Sequence, residues 1–246
     1  MNLNQNRTGK KKALLYFLFV FIANVFTQIG QIYAPVDKHT PAPAIYYILT
    51  LIGFIAVFIP TGYGISCIKA IREQGENIIL PFLNIKHNFI SGFKMMLGIT
   101  ILSITLGILY MASLIIPAII LALFNLKAVM AVLMIALSLI MLLLVTVYSP
   151  AMCCLFAEKE WITTFFRLIR ATKAIKENAG NYFKYVGLFI IFMIVFSIIN
   201  SIIMVIFNNN IGGAVFTALL ISLISTYTAF VFAYIAAKSV TAKSFD

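Results

Sequence analysis

Long, predominantly apolar stretches recur six times along this chain, and most contain twenty or more residues. An α-helix rises about 1.5 Å per residue, so such a stretch crosses the roughly 30 Å hydrocarbon core of a bilayer. A surface helix of a soluble protein would carry a narrower apolar stripe. A membrane β-barrel would alternate apolar and polar residues in segments of about ten. The pattern therefore predicts an all-α integral membrane protein with six transmembrane helices.

Composition supports the same class. Hydrophobic residues make up 63% of the 246 positions and charged residues 10%, whereas soluble domains average about 45–50% apolar and 25% charged residues. Lys and Arg outnumber Asp and Glu by 18 to 7. Nucleic-acid binding would need a basic face on a folded soluble domain, and too few polar residues exist to build one, so we expect no nucleic-acid partner.

The apolar stretches set the expected boundaries of one membrane domain, residues 13–237. Its six spans are predicted at 13–33, 45–68, 95–124, 128–157, 185–207 and 214–237. Residues 1–12 and 238–246 form short tails. The basic start before the first span also fits a signal peptide, but that span is too long and its end too bulky for a standard cleavage site.

The distribution of positive charge predicts the orientation. Of the 18 Lys and Arg residues, 16 lie in the two tails and the two longer polar segments, and two lie in the short loops between them. Because short loops rich in Lys and Arg stay in the cytoplasm, we expect both termini on the cytoplasmic side of the cell (inner) membrane.

Two cytoplasmic segments, 79–94 and 158–180, are predicted to be amphipathic helices at the membrane surface. In the first, Pro81 suits a helix start, and the apolar face is Phe82, Ile85, Phe89 and Phe93, with Asn84, His87, Asn88 and Ser91 largely opposite. In the second, Gly180 is expected to end the helix, and the apolar stripe is Trp161, Phe165, Leu168, Ile169, Thr172 and Ile175. Its polar side predicts contacts with anionic lipid of the inner leaflet, made with Trp161 by Arg167, Arg170, Lys173 and Lys176. Plain retention of these charges in the cytoplasm explains them equally well.

Several spans contain residues that weaken a helix. Proline removes one helix hydrogen bond and glycine lowers helix propensity. We therefore expect kinks or unwinding at five positions: Pro60, Gly62, Gly64, Pro117 and Pro150.

A shift of 90 residues aligns the two halves of the chain. It places Pro60 on Pro150, Asn88 on Asn178, and Phe93-Lys94 on Phe183-Lys184. The order of kinked span, amphipathic segment and span also repeats. The match predicts an internal duplication with parallel halves, although the biased composition leaves coincidence as an alternative.

Short motifs across residues 45–205 resemble a bacterial and archaeal membrane family known as domain of unknown function 4013. The motifs are Gly62-Tyr63-Gly64, Arg72, Gly75-Glu76, Leu80-Pro81, Gly92, Arg167-Leu168-Ile169-Arg170 and Asn181-Tyr182. The family is similar, more distantly, to the membrane domain of some glycerophosphodiester phosphodiesterases. One departure is that Asn84, Lys86 and His87 stand where the family leads us to expect acidic residues. The resemblance implies a membrane fold and no chemistry.

No residue pattern indicates catalysis. Ionisable residues lie in loops, tails or span ends, and no nucleophile–base, phosphate-loop or paired-carboxylate motif occurs. His39 and His87 are expected on opposite sides of the membrane and lack neighbours at metal-ligand spacing. We expect no enzyme activity, no cofactor and no metal site. The three cysteines, Cys67, Cys153 and Cys154, are expected to be buried and inert rather than lipidated or redox-active.

Polar residues within spans favour either a polar pocket or simple hydrogen bonds between helices. They are Asn24, Thr27, Gln28, Ser197, Asn200, Ser201, Ser222, Ser225, Thr226 and Thr228.

Two functions compete. The first is a non-enzymatic accessory or regulatory membrane component that binds lipid, another membrane protein or a second copy of itself. The alternative is a small permease or exporter for a neutral or lipid-like substrate, because transporters often interrupt their spans with proline or glycine.

The predicted orientation is testable with reporters. Green fluorescent protein fused after Lys184 should fluoresce, because that segment is expected in the cytoplasm, and the same reporter fused after Leu126 should stay dark. The reverse result in whole cells would contradict the orientation.

Overall fold

The apolar stretches are helical in the computed structural model, which describes residues 3–34, 42–74, 80–123, 127–207 and 211–239. These residues contain no strand. The helices are α1 Leu3–Ile32, α2 Ala44–Ala56, α3 Phe58–Gln74, α4 Ile85–Leu123, α5 Lys127–Lys159, α6 Leu168–Glu177, α7 Ala179–Phe207 and α8 Ile211–Ser239. A short 3-10 helix, Ile162–Phe166, precedes α6.

Six helical stretches in the described residues are long and apolar enough to cross a membrane, which confirms the predicted number of spans. They are Gly9–Ile32, Ala44–Gln74, Ile85–Ile115, Ala128–Lys159, Ala179–Ile203 and Ile211–Lys238. Each contains 24 to 32 residues and is therefore roughly 36–48 Å long. The chain has the architecture of a multi-pass membrane protein.

Helix α1 begins at Leu3, so residues 3–12 of the predicted tail are helical. At the other terminus, α8 runs to Ser239, and residues 240–246 of the predicted tail lie outside the described residues.

The first predicted amphipathic segment is not a separate helix. Residues 85–94 are the first turns of the 39-residue helix α4, and Ile79 lies outside the described residues. The helix begins after Asn84, whose Oδ1 accepts a hydrogen bond of 3.1 Å from the His87 backbone N–H. An N-cap of this kind satisfies an amide that the helix leaves unpaired, so Asn84 rather than Pro81 sets the start.

The two faces of this segment differ in burial. Asn88, Ser91 and Gly92 are buried against the bundle, whereas Phe82 is 82% exposed and Phe93 is exposed too. In a membrane bundle, small and polar residues pack between helices, because apolar side chains lose nothing by facing lipid. The face that would be buried in a soluble protein therefore points outward.

The second predicted amphipathic segment is broken rather than continuous. The 3-10 helix ends at Phe166, α6 begins at Leu168, and Gly180 lies in α7 instead of ending a helix. The expected stripe divides accordingly. Phe165 and Ile175 are buried, whereas Trp161 and Ile169 are 63% and 87% exposed.

Most of the expected helix-breaking residues do not break a helix. Near the first of them, Pro60, the helix is divided at Val57, which lies between α2 and α3 and three residues before the proline. Helix α3 continues through Gly62 and Gly64. Helices α4 and α5 likewise continue through Pro117 and Pro150.

Packing is uneven along the bundle. We call the end where α1 begins and α5 ends the basic end, because Lys and Arg residues cluster there. Tyr63, Phe156 and Tyr182 are fully buried near this end, and the Tyr182 hydroxyl donates a hydrogen bond to the Val147 carbonyl. Towards the opposite end, most of the large apolar side chains that the structure describes on α4 and α5 are exposed, including Ile108 and Leu139.

Helices α3 and α4 cross in direct backbone contact. A Cβ atom added at Gly62 would lie 1.8 Å from the Asn88 carbonyl oxygen, and one added at Gly92 would lie 1.9 Å from the Phe58 carbonyl oxygen. Only glycine fits at either position. Small residues that allow such close approach are the usual basis of helix association in membranes.

Gly92→Ala should therefore destabilise the protein. The added methyl group meets backbone rather than a flexible side chain, so we expect a cost of at least about 1–3 kcal/mol. Gly107→Ala is the matched control, since a Cβ there meets nothing within 4 Å and alanine favours the helix. Thermal unfolding of purified protein should show a lower Tm for Gly92→Ala alone. Equal Tm values would contradict the contact.

Candidate functional site

The described residues hold no group of three His, Cys, Asp or Glu side chains that could bind a metal ion. Cys67, Cys153 and Cys154 are free and buried, which confirms the expectation of buried thiols. The features with functional potential are instead two cavities between helices.

The first, which we call the apolar cavity, has a volume of about 270 Å³ and lies between α4, α5 and the 3-10 helix. Its walls are almost entirely apolar, and Ser103, Tyr148 and Ser149 contribute the few polar groups. The lining residues are Ile99, Leu102, Ser103, Leu106, Leu144, Val145, Tyr148, Ser149, Met152, Cys153, Phe165 and Leu168.

Phe165 forms part of the wall of the apolar cavity nearest the basic end. Its ring rests on α4 at Gly98, where an added Cβ would lie 2.3 Å from the ring. On the other side it packs against Phe156, with ring centroids 5.4 Å apart. The hydroxyl groups of Tyr148 and Thr172 share a hydrogen bond of 2.9 Å that ties α5 to α6. The 3-10 helix is therefore held as part of the cavity wall.

The basic residues predicted to contact anionic lipid follow the cavity wall in the chain. Arg170, Lys173 and Lys176 are exposed on α6, and Arg167 is the half-buried residue between the 3-10 helix and α6. Lys173 makes a long ion pair of 4.0 Å with Glu177. Leu168, the first residue of α6, lines the cavity. The exposed basic residues of α6 therefore begin two residues after the cavity wall.

The second, which we call the polar cavity, has a volume of about 350 Å³ and lies between α1, α3 and α8. Polar side chains reach it from all three helices: Tyr16, Asn24, Thr61 and Ser225. Its apolar lining includes Val20, Ala23, Ile65, Ile68, Met95, Ala229, Phe232 and Ala233. Val57 and Pro60 also line it, so the interruption between α2 and α3 borders this cavity.

The polar residues predicted within spans have different environments. The Asn24 side-chain amide donates a hydrogen bond of 3.0 Å to the Ser222 hydroxyl, joining α1 to α8. Ser201 instead bonds to the Ser197 carbonyl of its own helix, α7. Interhelical hydrogen bonds and a polar pocket therefore coexist between α1 and α8, and the serines of α7 take no part.

Contacts at the basic end hold the residues that precede α4. The Lys12 ammonium donates a hydrogen bond of 2.6 Å to the Leu80 carbonyl, and the Tyr63 hydroxyl donates one of 3.1 Å to the Pro81 carbonyl. His87 Nε2 lies 3.4 Å from Glu160 Oε1, linking the start of α4 to the residue that follows α5. These contacts fix α4, and with it one wall of the apolar cavity.

Sequence reasoning missed several residues that build these sites. Gly98, Phe165 and Tyr148 shape the apolar cavity, and Tyr16 and Thr61 line the polar one. Gly98 gave the clearest signal available, since a glycine inside an apolar span often marks close packing. Nothing in the sequence shows which side chain packs against it.

The comparison with known families gives one match. Residues 45–207, about two thirds of the chain, match the family described as protein of unknown function (DUF4013). The chain belongs to this family. No curated protein and no solved structure matches the chain, so the distant similarity to the membrane domain of glycerophosphodiester phosphodiesterases stays a prediction. All residues that line the apolar cavity fall inside the DUF4013 region, whereas α1 and α8, which build much of the polar cavity, lie outside it.

Proposed function

We propose that this DUF4013 protein is a non-enzymatic component of the cell membrane that binds an anionic phospholipid at the basic end. Its role is accessory or regulatory, and both termini lie in the cytoplasm. The orientation is supported by the 16 Lys and Arg residues that belong to segments on one side. The non-enzymatic role is inferred from the absence of a nucleophile–base motif in the sequence.

The observation that carries the proposal is the apolar cavity, whose wall continues in the chain into the basic residues Arg167, Arg170, Lys173 and Lys176. Its apolar lining suits a segment of one acyl chain, and we place the headgroup near Arg167 and Arg170. Moving an acyl chain from bilayer to cavity gives no hydrophobic gain, because both surroundings are apolar. The affinity must come from dispersion contacts and from the charges, at about 1 kcal/mol for each Lys or Arg near an anionic surface. The charges should therefore decide which lipid binds.

A further partner, either another membrane protein or a second copy of this chain, remains part of the proposal. It is supported by the exposed apolar sides of α4, α5 and α7, which lipid alone would also cover.

The proposed internal duplication is supported by the aligned sequence positions and by one similar contact. Gly92 packs against the Phe58 carbonyl of α3, and Tyr182, which is 90 residues after Gly92, bonds through its hydroxyl to the Val147 carbonyl of α5. The two carbonyl groups differ by one residue in this register, since the position 90 residues after Phe58 is Tyr148.

Trp161 is the single tryptophan of the chain, so its fluorescence measures which lipids lie close to the basic residues that follow it, Arg167 to Lys176. In nanodiscs of mixed phosphatidylglycerol and phosphatidylcholine, brominated phosphatidylglycerol should quench its fluorescence more than brominated phosphatidylcholine at equal content. The variant carrying Arg170→Gln, Lys173→Gln and Lys176→Gln should lose this preference. A control variant with Lys69→Gln and Lys86→Gln should keep it. Equal quenching by both lipids in the unmodified protein would disprove anionic selectivity.

A substitution that fills the apolar cavity tests the acyl-chain site. Ser103→Phe places a ring into the cavity, and Ser113→Phe adds the same ring on an exposed part of α4 that does not line it. Native mass spectrometry after detergent exchange should show one retained phospholipid for the unmodified protein and for Ser113→Phe, and none for Ser103→Phe. Unchanged retention in Ser103→Phe would exclude this cavity as the site.

A second candidate function is a small permease for an uncharged substrate. It is favoured by the polar cavity at the interruption between α2 and α3, since transporters often bind substrate where a membrane helix is interrupted. Reconstituted protein should then accelerate the passage of a small uncharged solute across liposomes.

A further inference from the structure

Two glycines of α3, two residues apart, face different surroundings. Gly62 is required by the contact with α4, as described above. Gly64 lines the polar cavity, and a Cβ added there would meet nothing within 4 Å. No neighbour therefore requires glycine at position 64, although glycine inside a helix costs about 1 kcal/mol relative to alanine. What Gly64 contributes is open volume.

The lining of the polar cavity disfavours a charged ligand. Among the described residues that line it, none is Lys, Arg, Asp, Glu or His, so they offer no opposite charge to a charged ligand inside the membrane. Burying an unpaired charge is far more costly than burying a neutral polar group. The Tyr16 and Ser225 hydroxyls can donate to a neutral molecule instead. Asn24 and Thr61 can accept from it through their side-chain oxygens, because their hydrogens already donate to Val20, Ser222 and Val57.

The position of the cavity also suits a ligand within the membrane. Val57 lies close to the middle of the 31-residue span Ala44–Gln74. Pro60 has no N–H to donate to the Ala56 carbonyl, which is four residues before it. Val57 itself keeps right-handed helical angles, and its N–H and carbonyl keep helical hydrogen bonds to Gly53 and Thr61. The Thr61 hydroxyl adds a hydrogen bond of 2.8 Å to the same carbonyl. The helix therefore loses one backbone hydrogen bond beside the cavity and otherwise continues.

Buried polar atoms continue from the cavity along α1 and α8. Gln28 is one turn beyond Asn24 on α1, and Thr217 lies beyond Ser222 in the same direction on α8. Both residues are buried, and among the described residues Gln28 Oε1 and Thr217 Oγ1 have no hydrogen-bond partner. Unpaired buried polar atoms are costly, so a ligand or solvent that pairs with them along this interface would be stabilised.

We propose that the polar cavity binds a small uncharged molecule with an apolar body and one or two hydrogen-bonding groups, such as an alcohol or an amide. Asn24, Thr61, Ser225 and Tyr16 pair with its polar groups, and Gly64 leaves space for its body. This inference deepens the second candidate function, the permease, and names the class of its substrate.

Cysteines introduced into the cavity test this site in nanodiscs. Gly64→Cys and Ser225→Cys each place a thiol in the cavity, and Ser113→Cys is the lipid-facing control. Benzyl methanethiosulfonate, which is uncharged, should modify both cavity thiols at least tenfold faster than the control thiol. The cationic trimethylammonium-ethyl reagent should modify them at least tenfold more slowly than the benzyl reagent. Mass spectrometry of peptides locates each modification, and the buried native Cys67, which lines neither cavity, serves as an internal reference.

Benzyl alcohol then serves as a reversible probe of the proposed class. It should slow modification of Ser225→Cys at least threefold and leave Ser113→Cys unchanged. The proposed site would be disproved if benzyl alcohol gave no protection, or if the cavity thiols reacted no faster than the control thiol. It would also be disproved if the cationic reagent modified the cavity thiols as fast as the benzyl reagent. Ser225→Cys exchanges one atom and decides the question if Gly64→Cys fails to fold. Liposome flux is measured separately, so a failure of transport is distinguishable from a failure of binding.

Discussion

The backbone contact between α3 and α4 determines much of this architecture. Apolar side chains gain little by leaving lipid for one another, so membrane helices associate through close packing and polar contacts. Gly62 and Gly92 allow the two helices to touch along their main chains. With that crossing in place, Gly64 on α3 borders the polar cavity beside α1 and α8, and Gly98 on α4 receives the Phe165 ring. Both candidate sites therefore depend on the same contact.

Much of the fold followed from the sequence because the bilayer imposes a simple length requirement. Each apolar run long enough to span it became a helix, and the six predicted spans are present. The bounds of the two surface segments did not follow, because they depend on local capping and on tertiary contacts. Asn84 caps α4, so residues 85–94 continue into the span, and the second segment divides at Arg167. Helices α4 and α5 continue through Pro117 and Pro150, and a kink at either proline stays a prediction.

The candidate sites were harder to foresee because each needs helices that are distant in the chain. Arg167, Arg170, Lys173 and Lys176 could be recognised as a basic cluster, since charge is visible in the sequence itself. The cavity beside them depends on Phe165 lying on Gly98, which is a tertiary contact. In the same way, Asn24 and Ser225 were noted as polar residues, but their pairing around one cavity depends on how α1 packs against α8.

The uneven packing of the bundle has a mechanical consequence. Near Tyr63, Phe156 and Tyr182, several helices interlock and must move together. Farther along, α4 and α5 are supported mainly by their own backbone hydrogen bonds and by a few contacts such as that between the Tyr110 and Ser138 hydroxyls. A change in bilayer thickness is accommodated by helix tilt. The outer parts of α4 and α5 can therefore tilt relative to the packed region near Tyr63, Phe156 and Tyr182. Phe165 and the apolar cavity lie where these two parts of the bundle meet.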